Sequence, residues 1–224
     1  MNVKDILSEL KTLGTEQNVK IYRRHGVGEN SFGVSFADLR RLAKRIKTDH
    51  AAALELWRSG VHEARMLAAM IADTAAADEA LLDSWAADLD NYVLTDEFSK
   101  FVAGTSHARQ KMEEWTKVGN EWIGRAGWQL LALLAMKDDS LSDSYLEGWL
   151  TVIERDIHSG KNRVRDAMNS ALIAIGIRNR SLENKAVTAA GRIGVVNVDH
   201  GQTSCKTSDA VEYIKRTVRR RDKK

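Results

Sequence analysis

From Phe36 to Gly176 the apolar residues recur with the 3.6-residue period of an α-helix, in a stretch rich in Ala, Leu, Met and Glu, the residues that lose least on entering one. This pattern constrains the fold more than any other feature, because it leaves little chain for a sheet. Strand-like alternation is confined to a short piece around Val195–Val198. The 224 residues include no proline, and the 15 glycines are scattered, so no linker punctuation divides the chain. An all-α fold follows, with 1–213 as a single domain large enough to bury a core and 214–224 as a basic C-terminal tail.

Three of the helical segments share a look. EARMLAAMIAD (63–73), GRAGWQLLALLAM (124–136) and VRDAMNSALIAIG (164–176) each begin near an arginine, at Arg65, Arg125 and Arg165, and continue with small and apolar residues at close-packing spacings. From Arg125 to Arg165 is 40 residues, inside the ~40 to 47 of paired-helix HEAT repeats, whereas the 60 from Arg65 to Arg125 fit no single repeat. Degenerate HEAT-like repeats are the expectation: a helix pair with one apolar face is stabilised by stacking on its neighbours, and stacking imposes a concave face. Generic helical bundling is the alternative that periodicity alone leaves open.

Several function classes drop out. No unbroken apolar run is longer than Leu130–Met136, far short of the ~18 residues a membrane span needs. The N-terminus MNVKDILSELKT lacks the apolar stretch and cleavage site of a secretory signal, and the lone Cys205 excludes an intramolecular disulfide. Both point to a cytoplasmic setting. None of the six histidines is paired on one helix face and Cys205 has no cysteine partner, so neither a metal nor another cofactor is expected. GVGEN (26–30) is not framed by a strand and a long helix, which makes it a turn rather than a dinucleotide loop.

The net charge is only +3, but the segment from Ile214 to Lys224 carries seven basic residues against Asp222, leaving the rest of the chain at −3. It reads as a frayed tail that loosely touches polyanions, or as a merely solubilising end. In DLRRLAKRIK, Arg40, Arg41, Lys44, Arg45 and Lys47 form a cationic face while Leu39, Leu42, Ala43 and Ile46 form the buried stripe. Lys161, Arg163 and Arg165 sit at the start of another helix, where exposed N–H groups assist phosphate binding. Arg125 has Trp122 and Trp128 at i−3 and i+3, a setting for a phosphate-holding arginine or for one snorkelling past core tryptophans. Tyr92 and Asp96 are four apart, so on a helix the ring and the carboxylate share a face, suited to a deoxyribose resting on the ring beside an anion. The other reading makes Asp96 a helix cap and Tyr92 core filling.

HEARMLAAMIAD (62–73), DHAAALELWRSG (49–60) and GRAGWQLLALLAM together resemble the AlkD-type DNA alkylation repair family over residues 20 to 180, the HEAR segment being the most specific piece. The resemblance implies a HEAT-like helical stack with a concave basic face and, as partner, duplex DNA containing alkylated purines; a monomer with no membrane partner is expected. It implies a glycosylase that removes cationic N3- or N7-alkylated purines. Asp96 then corresponds to the catalytic aspartate, stabilising an oxocarbenium-like sugar and positioning water; Tyr92 stands where an active-site tryptophan is usual; Arg125 corresponds to an arginine on the DNA backbone. Arg40, Arg41, Lys44, Arg163, Arg165 and Trp128 complete the expected DNA-binding set. Ser170 falls where a second aromatic is usual, and 195–206 has no counterpart. The family also includes members that bind DNA, sometimes branched DNA, with little or no glycosylase activity, which gives the alternative: a non-catalytic binder of damaged or branched DNA.

Overall fold

A computed structural model describes residues 1–222 and holds thirteen helices and no strand among them: α1 (Val3–Leu13), α2 (Glu16–Arg24), α3 (Phe36–Ile46), α4 (His50–Arg58), α5 (His62–Ile71), α6 (Glu79–Ala87), α7 (Tyr92–Val102), α8 (Ala108–Trp115), α9 (Glu121–Lys137), α10 (Asp143–Asp156), α11 (Asn162–Arg178), α12 (Arg180–Ile193) and α13 (Ala210–Arg221). The helices start without proline because short polar side chains begin them. Asn2, Thr15, Ser35, Asp49, Asp78, Asn91, Asn120, Ser142, Asn179 and Asp209 each accept a hydrogen bond from a first-turn amide. The alternating piece at Val195–Val198 is irregular chain, not strand.

The chain divides into two compact units. The first comprises Met1–Ala108 with Gly201–Thr203, the second Arg109–His200 with the chain from Ser204 on. In the first unit α5 packs on α3, α4 and α7. Its core is aromatic: Trp57 of α4 and Trp85 of α6 stack with ring centroids 4.0 Å apart, and Phe98 and Phe101 of α7 lean against Trp85. In the second unit α11 packs on α9, α12 and α13, and α12 on α10. Contact between a helix and the next but one is what stacked helix pairs produce, as expected for HEAT-like repeats.

Arginines tie helices to their neighbours through main-chain carbonyls. Arg65 of α5 donates to the carbonyls of Trp57 and Asp88, at 3.3 and 3.2 Å. Arg125 of α9 donates to Arg163 at 3.0 Å. Arg178, ending α11, reaches Ala135, Asp138 and Leu141 beyond and within the end of α9, at 2.7, 2.9 and 3.3 Å, satisfying acceptors a helix C-terminus leaves open. Arg221 donates to Ile177 at 2.8 Å.

The last helix corrects the expectation of a frayed tail. Residues 210–221 form α13, with Ile214 and Val218 almost completely buried against the second unit. Gly176 makes the seat: a Cβ there would lie 2.6 Å from Ile214 Cδ1 and 2.8 Å from Ala186 Cβ. Lys223 and Lys224, part of the expected tail, lie outside the described residues.

Candidate nucleic-acid interface

Asn91 decides how α7 presents its residues. Its side chain accepts from the Leu94 amide at 3.0 Å, so the helix begins at Tyr92 and Asp96 sits one turn inside it. Asp96 is therefore not the cap, and Tyr92, half-buried, is not core filling. Ring and carboxylate line one cleft of the first unit, of about 480 Å³, which α7 shares with Ile21, Tyr22 and His25 of the α2 end and Phe36 and Arg40 of α3. The Tyr92 hydroxyl is hydrogen-bonded to His25 Nδ1. Glu97 and Lys100 also line the cleft and pair with each other at 2.6 Å.

The HEAR segment lies behind Tyr22, one of the cleft residues. Glu63, fully buried, accepts from Ser31 Oγ at 2.8 Å and from the amides of Phe32, Gly33 and Val34 at 2.9, 2.6 and 3.2 Å. The carboxylate thus folds the connection between α2 and α3 onto α5, with Gly33 at a φ of 76° that favours glycine. That connection in turn accepts the Tyr22 hydroxyl at the Val34 carbonyl, while His62 packs edge-on against the Tyr22 ring at 5.7 Å. Burial, helped by the nearby Glu63, pushes the Tyr22 hydroxyl up to about 12. His62 is held below the usual histidine range chiefly by burial, which outweighs the Glu63 and Asp90 carboxylates favouring its charged form. GVGEN lies in the same connection and is a turn, Gly26 having a φ of 82°.

The cationic face of α3 is real but unevenly committed. Arg41 is paired with Asp38, and Arg45 with Glu9. Arg40 and Lys44 are exposed, and the Arg40 guanidinium lies 5.9 Å from the Phe36 ring centroid at the mouth of the cleft.

In the second unit the expected contact residues turn inward. Arg125 is only 3% exposed, and its Nη1 donates to Asp166 at 2.8 Å as well as to the Arg163 carbonyl. Trp128 is equally buried and meets Trp149 edge-on at 5.5 Å. A side chain without exposed surface cannot lie on a phosphate, so Trp128 is core and Arg125 is a clamp on the start of α11. The α11 amide expected to greet a phosphate is taken as well: Arg163 N donates to Glu121 Oε1 at 2.7 Å. Arg163 and Arg165 are half-buried, and Arg165 Nε is buried with no hydrogen-bond partner. Ser170, which falls where a second aromatic is usual in the family it resembles, spends its hydroxyl on the Asp166 carbonyl at 3.0 Å.

Sequence reasoning missed His25, Tyr22, Phe36, Glu97 and Lys100 as cleft residues. Lys100 was within reach, standing one further helical step of four beyond Tyr92 and Asp96. His25 carried no local signal, because 67 residues separate it from Tyr92. Among the described residues no group of three or more histidines, cysteines or carboxylates could hold a metal, and no helix is long and apolar enough to cross a membrane.

Comparison with known proteins adds four findings. A family model described as DNA alkylation repair enzyme matches residues 6–214. Uncharacterized protein Lin0241 of Listeria innocua is 26% identical over 224 residues, covering 95% of this chain and 96% of its own. Uncharacterized protein Lmo0209 of Listeria monocytogenes is 25% identical over 220 residues with the same coverage, 95% and 96%. A solved structure described as a new family of proteins related to the HEAT-like repeat DNA glycosylases with affinity for branched DNA structures matches with a TM-score of 0.90 and 30% identity, over 98% of this chain and 95% of the other. The fold is thus that of the HEAT-like repeat DNA glycosylases.

Proposed function

Since the chain belongs to the DNA alkylation repair enzyme family, we propose that it binds DNA through phosphate contacts and favours branched over linear duplexes. The observation that carries this reading is the likeness, at 30% identity and nearly full coverage of both chains, to a protein with affinity for branched DNA structures. The charge of the cleft supports it. Arg40 and Lys100 line the cleft alongside Asp96 and Glu97, so cations offset the carboxylates there. Arg40 and Lys100, both exposed, are the cations of this lining that a phosphate backbone would meet. Exposed Arg40 and Lys44 would meet phosphates, while Arg125 would act indirectly by holding the start of α11.

The test is fluorescence anisotropy with a four-way junction and a linear duplex of equal base-pair content at one salt concentration. The junction should bind more tightly; equal affinities would remove the branched preference.

Excision of cationic N3- or N7-alkylated purines is the second reading, favoured by one observation: Asp96 lines an open cleft beside Tyr92 instead of capping a helix. There the carboxylate would stabilise the oxocarbenium-like sugar left by a departing cationic base, with Tyr92 as platform for the sugar. No base pocket is needed, because the leaving group is activated by its own charge. Release of N7-methylguanine from an alkylated duplex under single-turnover conditions tests it, and no release would remove it.

A further inference from the structure

α13 is built as an amphipathic strap with a purpose on each side. Its inner side chains, Ile214 and Val218, are seated on the second unit, and Arg221 is tied to the Ile177 carbonyl. Its outer side carries Lys215, Arg216, Arg219 and Arg220, all exposed, around a shallow cleft of about 500 Å³ with Glu212 as the lone carboxylate of the lining. The spacing is what makes this a surface instead of a scatter of charge: 215 with 219 and 216 with 220 are each one helical step of four, giving two parallel rows about 6 Å long. Arg216 is braced over the Tyr213 ring at 5.3 Å. Lys215, Arg219 and Arg220 form no ion pair with any described residue, whereas the cations of α3 at Arg41 and Arg45 do. Four cations held together on one helix face, with Glu212 the one carboxylate of the lining, leave an excess of positive charge that an anion laid along the rows would offset.

We propose that the outer face of α13 is a separate phosphate-contact surface, taking the phosphodiester backbone of DNA along Lys215, Arg216, Arg219 and Arg220. It rests on the DNA-binding reading above and extends it to a place the family match does not reach, since that match ends at residue 214 and all four cations lie beyond it. The surface reads charge and not base sequence, because nothing on the helix face beyond the guanidinium and ammonium groups is placed to select a base edge.

The experiment compares the salt dependence of affinity for one linear duplex between the full chain, the variant Lys215→Gln/Arg219→Gln/Arg220→Gln, and a charge-matched control, Lys4→Gln/Lys11→Gln/Lys137→Gln, whose residues are exposed elsewhere. Each lost phosphate contact removes about 0.9 from the slope of log K against log salt, so the α13 variant should be shallower by about 2 to 3 while the control keeps the wild-type slope. An unchanged slope in the α13 variant, or an equal fall in the control, overturns the proposal; the latter makes the effect one of net charge. If the triple variant loses helicity by circular dichroism, Arg219→Gln and Arg220→Gln taken singly should each lower the slope by about 0.9. Vesicles of phosphatidylglycerol and phosphatidylcholine form a parallel arm, and an α13 variant that loses vesicle binding but keeps its DNA slope would assign the face to lipid and overturn the proposal. Failure of the wild type to bind DNA at all would bring down the broader reading with it, whereas wild-type binding with an unaltered α13 variant would bring down this one alone.

Discussion

At Asp96, exchanging one oxygen for nitrogen keeps the shape of the side chain and removes its charge, which separates binding from excision. If the carboxylate stabilises a cationic sugar, Asp96→Asn should slow single-turnover excision by ~10² to 10³, the usual effect of losing one transition-state electrostatic contact, and leave the dissociation constant for the same alkylated duplex within about twofold. Unchanged excision would deny Asp96 that role. A different kind of dependence is expected one helix away. Glu63→Gln replaces one acceptor oxygen by an amide that faces backbone donors, leaving at least one of them unsatisfied in a buried site, and should cost about 2 to 3 kcal/mol in urea unfolding. His62 adds a pH effect of definite sign. Its affinity for a proton is lower folded than unfolded, so the unfolded chain takes up the proton first as pH falls. Stability should therefore be complete above the unfolded value of ~6.5 and be lost progressively below it, and His62→Gln should flatten that limb of the stability curve. The spacing of Tyr92 and Asp96 was enough to place them on one face, because i to i+4 geometry is local. Their surroundings were not legible, since the Glu63 clamp and the His25 contact join residues 29 to 67 positions apart.

Helices that pack on a neighbour through small residues depend on the absence of atoms. Gly176→Ala would set a methyl within 2.6 Å of Ile214 Cδ1 and 2.8 Å of Ala186 Cβ, so α12 and α13 must shift; the expected loss is about 1 to 3 kcal/mol, with faster amide hydrogen exchange over α12 and α13 than elsewhere in the second unit. Exchange accelerated evenly across that unit would mean that α12 and α13 are not the elements displaced. The helices themselves were legible from period and composition, the starts of α5, α9 and α11 standing a few residues from Arg65, Arg125 and Arg165. What charge concealed was α13: Ile214 and Val218 are spaced by four, a helical signature outnumbered by basic neighbours and so read as a solvated tail. Burial of Arg125 and Trp128 was equally hidden, because a periodic pattern gives a residue's angular position on its own helix and not which neighbour covers that angle.

For the molecule as a whole, DNA affinity should fall steeply with salt, by about 0.9 in log–log slope for each phosphate engaged, and a flat response would remove the nucleic-acid reading. Within that slope, Arg40→Gln/Lys44→Gln should cost about 2, while Arg41→Gln, whose partner Asp38 already neutralises it, should cost less than a full contact. The fold class was open to the sequence because 3.6-residue periodicity survives in degenerate repeats, although the intervals between repeats are unequal. The arginines that fasten one helix to another explain how such irregularity is tolerated. Arg65, Arg125, Arg178 and Arg221 grip carbonyl oxygens, which every amino acid supplies, so a neighbouring residue can be exchanged without withdrawing the acceptor. Fastened in this way, each joint answers to its arginine more than to the residue it grips, so sequence is free to drift on one side of a joint while the joint stays closed.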